Sequence, residues 1–312
     1  MIIPEVIVIT GPTASGKSEL GVRVAETIGG EVVSADSMQI YKYMDIGTAK
    51  PSINDMCGIP HHLIDFVPPF EDYSVARYVE DASKCIDEII SRKKIPVIVG
   101  GSGLYIDSLL KGRIFSARGN EKLRKELENE YADAGGEAML KKLRTFDEIS
   151  AAKLNANDKK RIVRAIEVYI TTGKTISQHD IESKSQPQKY NAKIFALEFS
   201  DRSVLYERID RRVNDMILKG LVKEVGSLLD MGVSRNCTSM QAIGYKEISA
   251  ALAGETDFDF AIEKVKMESR RYAKRQLTWL RRVTGINRIV WMNRPDFKFA
   301  EKQFMELLHE EK

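Results

Sequence analysis

The sequence predicts an α/β fold, a parallel sheet flanked by helices, with an all-helical module inserted into it. Three observations carry that expectation. Val6–Thr10 is a short apolar, β-branched run that ends on GPTASGKS, Gly11–Ser18, and helical periodicity follows. A second apolar run, IPVIV at Ile95–Val99, is delivered in the same way to Gly100-Gly101-Ser102-Gly103. From about Ser116 to Ser185 the chain is charged and helix-forming, with no convincing strand.

The elements follow in order. Val6–Thr10 has no polar alternation, as expected of a parallel strand covered on both faces. Ser18–Ile28 reads as a helix because Leu20, Val24 and Ile28 recur every fourth residue and Gly29-Gly30 close it. Glu31–Ala35 is a second strand, which completes the strand, glycine turn, helix and strand that a phosphate loop needs. His62–Phe66 reads as a short strand, Ser74–Ser91 as a helix and Ile95–Val99 as a strand. Beyond the insertion, Ala192–Phe199 and Arg288–Met292 return to strand character. Long helices are expected over Arg202–Met231, Met240–Leu252 and Phe260–Val283. The expected domains are therefore residues 1–115 with 191–312 as the α/β core, and 116–190 as the helical insertion.

Composition narrows the class. Of 312 residues, 43% are hydrophobic and 30% charged, which describes a soluble globular chain rather than a disordered or membrane one. No apolar run approaches the ~20 residues of a spanning helix. A net charge of +3 is too small to argue nucleic-acid binding by itself. Cys57, Cys85 and Cys237 are too scattered for a metal site or disulfide framework and read as free thiols of a cytoplasmic chain, expected as a monomer. The opening MIIPEVIVITG reads as a strand entering the loop, not as a secretory signal.

Gly11–Ser18 fits G-x-x-x-x-G-K-[ST], so the core is expected to be P-loop NTPase-like. Gly11 and Gly16 allow the tight turn, and Pro12, Thr13, Ala14 and Ser15 fill the cradle between them. Its amides and the helix N-terminus favour an anion, Lys17 reaches a terminal phosphate, and Ser18 is placed to ligate Mg²⁺. Thr13 adds a hydroxyl for a bridging or leaving oxygen. The strand IPVIV ends in glycines rather than the Asp that holds Mg²⁺ in many P-loop hydrolases, which weighs against ATP hydrolysis.

Other candidates cluster at strand ends, where such sheets bind ligands. Asp36 ends the second strand and reads equally as a metal ligand, a general base or a cap for the turn after it. The loop Asp45–Pro51 carries an Asp, a Thr and a Lys near the same crevice. Gly100–Tyr105 is a second glycine-rich turn that serves either packing or close approach of a ligand. In Tyr206–Arg212 the arginines either clamp a diphosphate or form surface ion pairs. Lys159, Lys160, Arg161 and Arg164 make a basic cluster on the insertion. Ser269–Arg288 holds seven Arg and Lys and no acid, with Ala273, Leu277, Leu280 and Thr284 as its apolar stripe and Gln276 and Trp279 interleaved with the charges. Such a face suits a polyanion.

The order and spacing of GPTASGKS, SADSMQIYKYMDIGTAKP, GGSGLY, NDKKRIVRAIEVY, SMQAIGYKE and AKRQLTWLRR resemble the bacterial tRNA dimethylallyltransferase (tRNA isopentenyltransferase) family over essentially the whole chain. The resemblance implies that dimethylallyl diphosphate binds the phosphate loop with Mg²⁺. The exocyclic amine of the adenosine 3′ of the tRNA anticodon then attacks, and diphosphate leaves. It implies Asp36 as general base, with Thr13 and Arg212 on the departing diphosphate. It also implies tRNA contacts at Asp36, Ser37, Met38, Gln39, Ser102, Arg124, Lys160, Arg161, Arg164, Gln241, Gly244, Tyr245, Lys274, Arg275, Gln276 and Arg281. Lys160, Gln241 and Ser102 stand where Gln, Arg and Thr are usual, so the departures touch tRNA contacts and not the reaction. A form without the C-terminal zinc finger of eukaryotic relatives is expected. The rival functions are an adenylate isopentenyltransferase, a small-molecule P-loop kinase and a non-enzymatic RNA-binding protein.

Overall fold

The structure, a computed structural model, describes residues 5–112, 120–184 and 188–309. The first part runs Glu5–Thr10 (β1), Lys17–Ile28 (α1), Gly30–Ser34 (β2), His61–His62 (β3), Val75–Ser91 (α2), Ile95–Gly100 (β4) and Gly103–Leu110 (α3). Helices alone follow among the described residues up to 184. They are Glu121–Ala134 (α4), Gly136–Arg144 (α5), Glu148–Ala151 (α6), Lys159–Thr172 (α7) and Ile176–Lys184 (α8). The last part runs Asn191–Phe199 (β5), Arg202–Leu218 (α9), Leu221–Asp230 (α10), Tyr245–Leu252 (α11), Phe258–Leu280 (α12), Ile286–Trp291 (β6) and Phe297–His309 (α13).

The six strands form one parallel sheet in the order β3-β2-β4-β1-β5-β6. β1 lies in the middle, with Val8 beside Ile98 of β4 and Ile194 of β5. Because the strands run one way, the turns after β1, β2 and β4 leave the same edge, and that edge carries the site. Val6, Ile7, Val8 and Ile9 are all buried, so no residue of the strand needed to be polar. On one face α1 packs Leu20 and Val24 into the core, and α13 adds Ala300 and Phe304 against Phe195 and Trp291. A Cβ on Gly21 would lie 2.5 Å from the Val99 side chain, so glycine lets α1 approach β4.

The P-loop NTPase-like α/β core is as expected, and five details differ. The strand expected at 62–66 stops at His62, because Leu63 (φ 61) and Asp65 (φ 57) are left-handed and break the ladder. The helix expected over 202–231 breaks at left-handed Gly220 (φ 99), and that over 240–252 begins only after Gly244 (φ 96). The helix α13 lacked an expectation, although Phe297, Ala300 and Phe304 mark its apolar stripe. Thr284 lies beyond the end of α12 and is exposed, while Gln276 takes a place in the buried stripe.

Met1–Leu109 with Tyr190–Lys312 form one compact unit and Leu110–Lys189 a second. The expected boundary at 115 and 116 and the end of the charged stretch at Ser185 lie outside the described residues. The second unit has its own core of Leu127, Met139, Leu143, Ile162 and Ile166. Its Glu167 side chain is fully buried and is satisfied by Arg124 at 3.2 Å and Arg164 at 2.9 Å. No described helix is long and apolar enough to cross a membrane.

Candidate active site

β1 delivers the chain into a loop that is held from outside by three side chains. The Trp291 Nε1–H donates to the Ser15 carbonyl at 2.9 Å, Arg208 Nε donates to the Ala14 carbonyl at 3.1 Å, and Gln276 Oε1 accepts from the Thr13 N–H at 2.8 Å. These come from β6, α9 and α12, so distant parts of the chain set three consecutive loop residues. Ala14 (φ 62) and Gly16 (φ 90) are left-handed, and a Cβ on Gly16 would lie 2.9 Å from the Phe297 ring. Fixed in this way, the cradle presents its dipoles to an anion without reorganising when one arrives.

Two cavities flank the loop. The larger, about 1140 Å³, is walled by Lys17, Ser18, Arg23, Arg208, Arg211 and Arg212, and the acids Glu19, Glu26, Asp45, Asp55 and Asp215 on the same wall are outnumbered by its cations. The smaller, about 280 Å³, is lined by Thr13, Asp36, Arg212 and Arg275 together with Ile209, Val213 and Val265. Arg212 borders both. Lys17 and Ser18 face the cationic chamber, and Thr13 faces the half-apolar one.

The charges there are strained by burial and by one another. Burial, then the nearby charge of Arg212, pulls the Lys17 ammonium down to about 8, while Asp36 opposes the shift. Burial also lowers Arg212, again with Asp36 opposing. The Tyr272 phenol, beside Asp36 in the smaller cavity, is pushed up to about 12 by burial and then by that carboxylate. Asp36 Oδ1 accepts from the N–H of Met38 at 2.9 Å and of Gln39 at 3.3 Å. One oxygen thus caps the turn, and the other accepts no hydrogen bond among the described residues. The cap and the chemical reading of Asp36 are therefore compatible.

The loop after β2 is built to stay put. Glu224 accepts the N–H groups of Asp45, Ile46 and Gly47 at 2.9, 2.8 and 3.1 Å. Lys50 is largely buried and donates to the Tyr41 carbonyl, Asp45 and Asp65, so it is a structural cation rather than a phosphate ligand. Gln39 Nε2 donates to the Thr48 and Ala49 carbonyls, and Ser102 Oγ accepts from the Ser37 N–H at 3.2 Å.

The expected polynucleotide contacts divide sharply. Lys274, Arg275 and Arg281 on and just after α12, with Arg282, are exposed and form no ion pair among the described residues. The other three cations of that stretch are neutralised, Arg270 by Asp210, Arg271 by Glu268 and Arg288 by Glu198. Lys160 and Arg161 are exposed on α7, with Asp158 3.9 Å from Arg161. Arg124 and Arg164 bind Glu167, as above. Gln241 is exposed and donates to the Arg235 carbonyl at 2.7 Å. Gly244 is buried as the N-cap of α11. Tyr245 is wholly buried, its hydroxyl on Glu224 and its ring where a Cβ on Gly47 would fall. Gln276 is buried too. These last two side chains face the interior, where each satisfies a specific polar group, and present no surface to a polymer. Arg208, one of the arginines of Tyr206–Arg212 expected to clamp a diphosphate or form surface ion pairs, instead holds the loop carbonyl of Ala14; it lies four residues before Arg212 on one helix face.

This frame, a preset anion cradle between a cationic chamber and a smaller one holding a carboxylate, defines a P-loop enzyme of the group-transfer class. A family profile described as IPP transferase matches residues 39–283, and one described as isopentenyl transferase matches residues 4–70. The tRNA dimethylallyltransferase of Acetivibrio thermocellus is 49% identical over 298 residues, covering 95% of this chain and 94% of that one. That of Thermoanaerobacter sp. strain X514 is 47% identical over 304 residues, covering 96% and 94%. The crystal structure of the full-length tRNA isopentenylpyrophosphate transferase of Bacillus halodurans has a TM-score of 0.73 at 39% identity, covering 97% and 95%. A eukaryotic dimethylallyltransferase acting on tRNA has a TM-score of 0.81 at 29% identity, covering 98% of this chain and 77% of that one. The chain belongs to the IPP transferase family.

Proposed function

We propose that the chain transfers a dimethylallyl group from dimethylallyl diphosphate to the exocyclic amine of the adenosine immediately 3′ of a tRNA anticodon, releasing diphosphate. The observation that carries this reading is the pairing of chambers at the phosphate loop. One carries more cations than acids, with Lys17 and Arg212 among them to hold a diphosphate, and the other is half apolar, suits a five-carbon group, and contains Asp36. As the carbon–oxygen bond breaks, negative charge collects on the diphosphate. The loop amides, Lys17 and Arg212 stabilise that charge, each well-placed donor contributing roughly 3–4 kcal/mol at the transition state. Thr13 donates to the bridging oxygen. The adenine amine is scarcely basic, so Asp36 takes its proton as the new carbon–nitrogen bond forms.

The expected Mg²⁺ fits the donor set. Ser18 is exposed beside Lys17 and shares a recess with Asp36, and Mg²⁺ needs only one or two protein oxygens when phosphates supply others. Held there, it would neutralise charge on the diphosphate. The target base leaves its stack to reach Asp36, near the turn formed by Ser37, Met38, Gln39 and Ser102. The anticodon stem-loop lies on the face of Lys274 and Arg281, Arg275 reaches the smaller cavity beside it, and Lys160 and Arg161 of the insertion supply further phosphate contacts to the tRNA. The enzyme works in the cytoplasm as a monomer.

Two results follow from the charges. Lys17 is protonated at neutral pH and loses its proton as pH rises through about 8, so donor binding above that value must restore it. Donor affinity is then level below about pH 7 and falls about tenfold per unit above 8. A calorimetric titration across that range checks this, and an affinity unchanged at pH 9 contradicts it. Changing Lys274 and Arg281 together to Ala weakens tRNA binding and lowers the slope of log affinity against log salt by about 2, with donor affinity unchanged. A loss confined to donor affinity would show that this face serves the small substrate.

The function itself is tested by supplying labelled dimethylallyl diphosphate with either unmodified tRNA or AMP. Label should enter the tRNA. Label entering only AMP, or ATP turnover without prenyl transfer, sinks the proposal.

A further inference from the structure

We infer that Gln276 is a positioning residue that sets Thr13 of the phosphate loop for departure of the diphosphate, and so ties the tRNA-facing helix to the donor site. The inference rests on the function proposed above and goes beyond it.

Gln276 is 6% exposed, although Lys274 and Arg275 beside it on α12 face solvent. A buried amide is costly unless both its ends are bonded. Here Oε1 accepts from the Thr13 N–H at 2.8 Å, and Nε2 donates to the Gly101 carbonyl at 3.0 Å. One planar group therefore bridges the two glycine-rich turns that end β1 and β4. The fit has no slack. A Cβ on Gly101 would lie 2.2 Å from Gln276 Nε2, and one on Gly103 would lie 2.4 Å from the Trp279 ring, three residues further along the helix. Glycines at 101 and 103 let α12 seat against this turn.

The consequence falls on Thr13. Its amide is bonded outward to Gln276, so it is not one of the donors turned into the cradle. The residue lines the half-apolar cavity, whereas Lys17 and Ser18 line the cationic one. Its hydroxyl is thereby held where the bond to the prenyl carbon breaks. The same helix carries Lys274 as an exposed cation, with Arg281 just past its end, so a polyanion docked on them bears on the rigid helix that fixes Thr13.

The test is a double-mutant cycle between Gln276→Ala and Thr13→Ala. Gln276→Ala should lower kcat on the order of 10²-fold, as small displacements of a catalytic group do. Its Kd for tRNA and the salt slope of that binding should stay at wild-type values. In the Thr13→Ala background the same change should cost nothing further, because the two act as one unit. Gln276→Glu keeps the volume and the acceptor for Thr13 and, protonated as burial favours, can still donate to the Gly101 carbonyl. It should show a smaller loss of kcat and serves if the Ala variant does not fold. Binding of inorganic diphosphate with Mg²⁺ gives the same cycle without any acceptor, with a loss of about tenfold that appears only when Thr13 is present. Weakened tRNA binding at unchanged kcat overturns the inference in favour of an RNA contact. Additive losses overturn it in favour of a merely structural role. If the wild type moves no prenyl group to tRNA, the proposed function fails, and the diphosphate cycle still decides on Gln276.

Discussion

Asp36→Ala abolishes prenyl transfer, lowering kcat by about 10²–10⁴-fold while donor affinity stays within a few-fold. The size follows from chemistry, since no other carboxylate borders the half-apolar cavity among the described residues. The residue has a second duty. Oδ1 holds the Met38 and Gln39 amides, so truncation also removes a cap of about 1 kcal/mol. Asp36→Asn separates the two, because an amide oxygen still caps the turn but cannot take a proton. It should match the Ala variant in single-turnover rate and the wild type in thermal stability. An Asn variant with wild-type turnover would leave Asp36 as a cap alone.

Arg212→Ala should lower kcat/KM by roughly 10²–10³-fold, the loss of one preorganised donor to a growing anion. Its position bordering both cavities puts it beside the bond that breaks. Arg212→Lys should recover little, since an ammonium restores the charge but not the planar fork. A second signature accompanies the loss. The Arg212 charge helps to hold Lys17 down at about 8, so removing it lets the ammonium rise. The fall of donor affinity with pH should then move to higher pH in Arg212→Ala. A profile that stays in place would mean that burial alone sets Lys17.

What was legible in the sequence was local or periodic. The phosphate loop reads directly because its geometry is made by neighbours in sequence, and Asp36 reads because a strand end fixes its position. The break at Gly220 was available in the same way, as a glycine inside a helical pattern. The fate of the basic residues was not, because their partners come from elsewhere. Arg270 meets Asp210 and Arg288 meets Glu198 only once the sheet and helices are assembled. Arg124 and Arg164 likewise converge on Glu167, which composition cannot distinguish from any surface acid. Gln276 is the clearest case. Its polarity and basic neighbours suggest an outward face, and only the carbonyl of Gly101 and the amide of Thr13 explain its burial. Tyr245 turns inward for a related reason, since its hydroxyl completes the acceptor set of Glu224 under the loop at Gly47.

The most direct test of the central claim is to identify the product of a reaction with dimethylallyl diphosphate, Mg²⁺ and unmodified tRNA. The tRNA is digested and sequenced by mass spectrometry while released diphosphate is counted. The account predicts one dimethylallyl group on the exocyclic amine of the adenosine 3′ of the anticodon, with an equal quantity of diphosphate. Unmodified tRNA with ATP converted to ADP, or a prenyl group found only on free nucleotide, would contradict it.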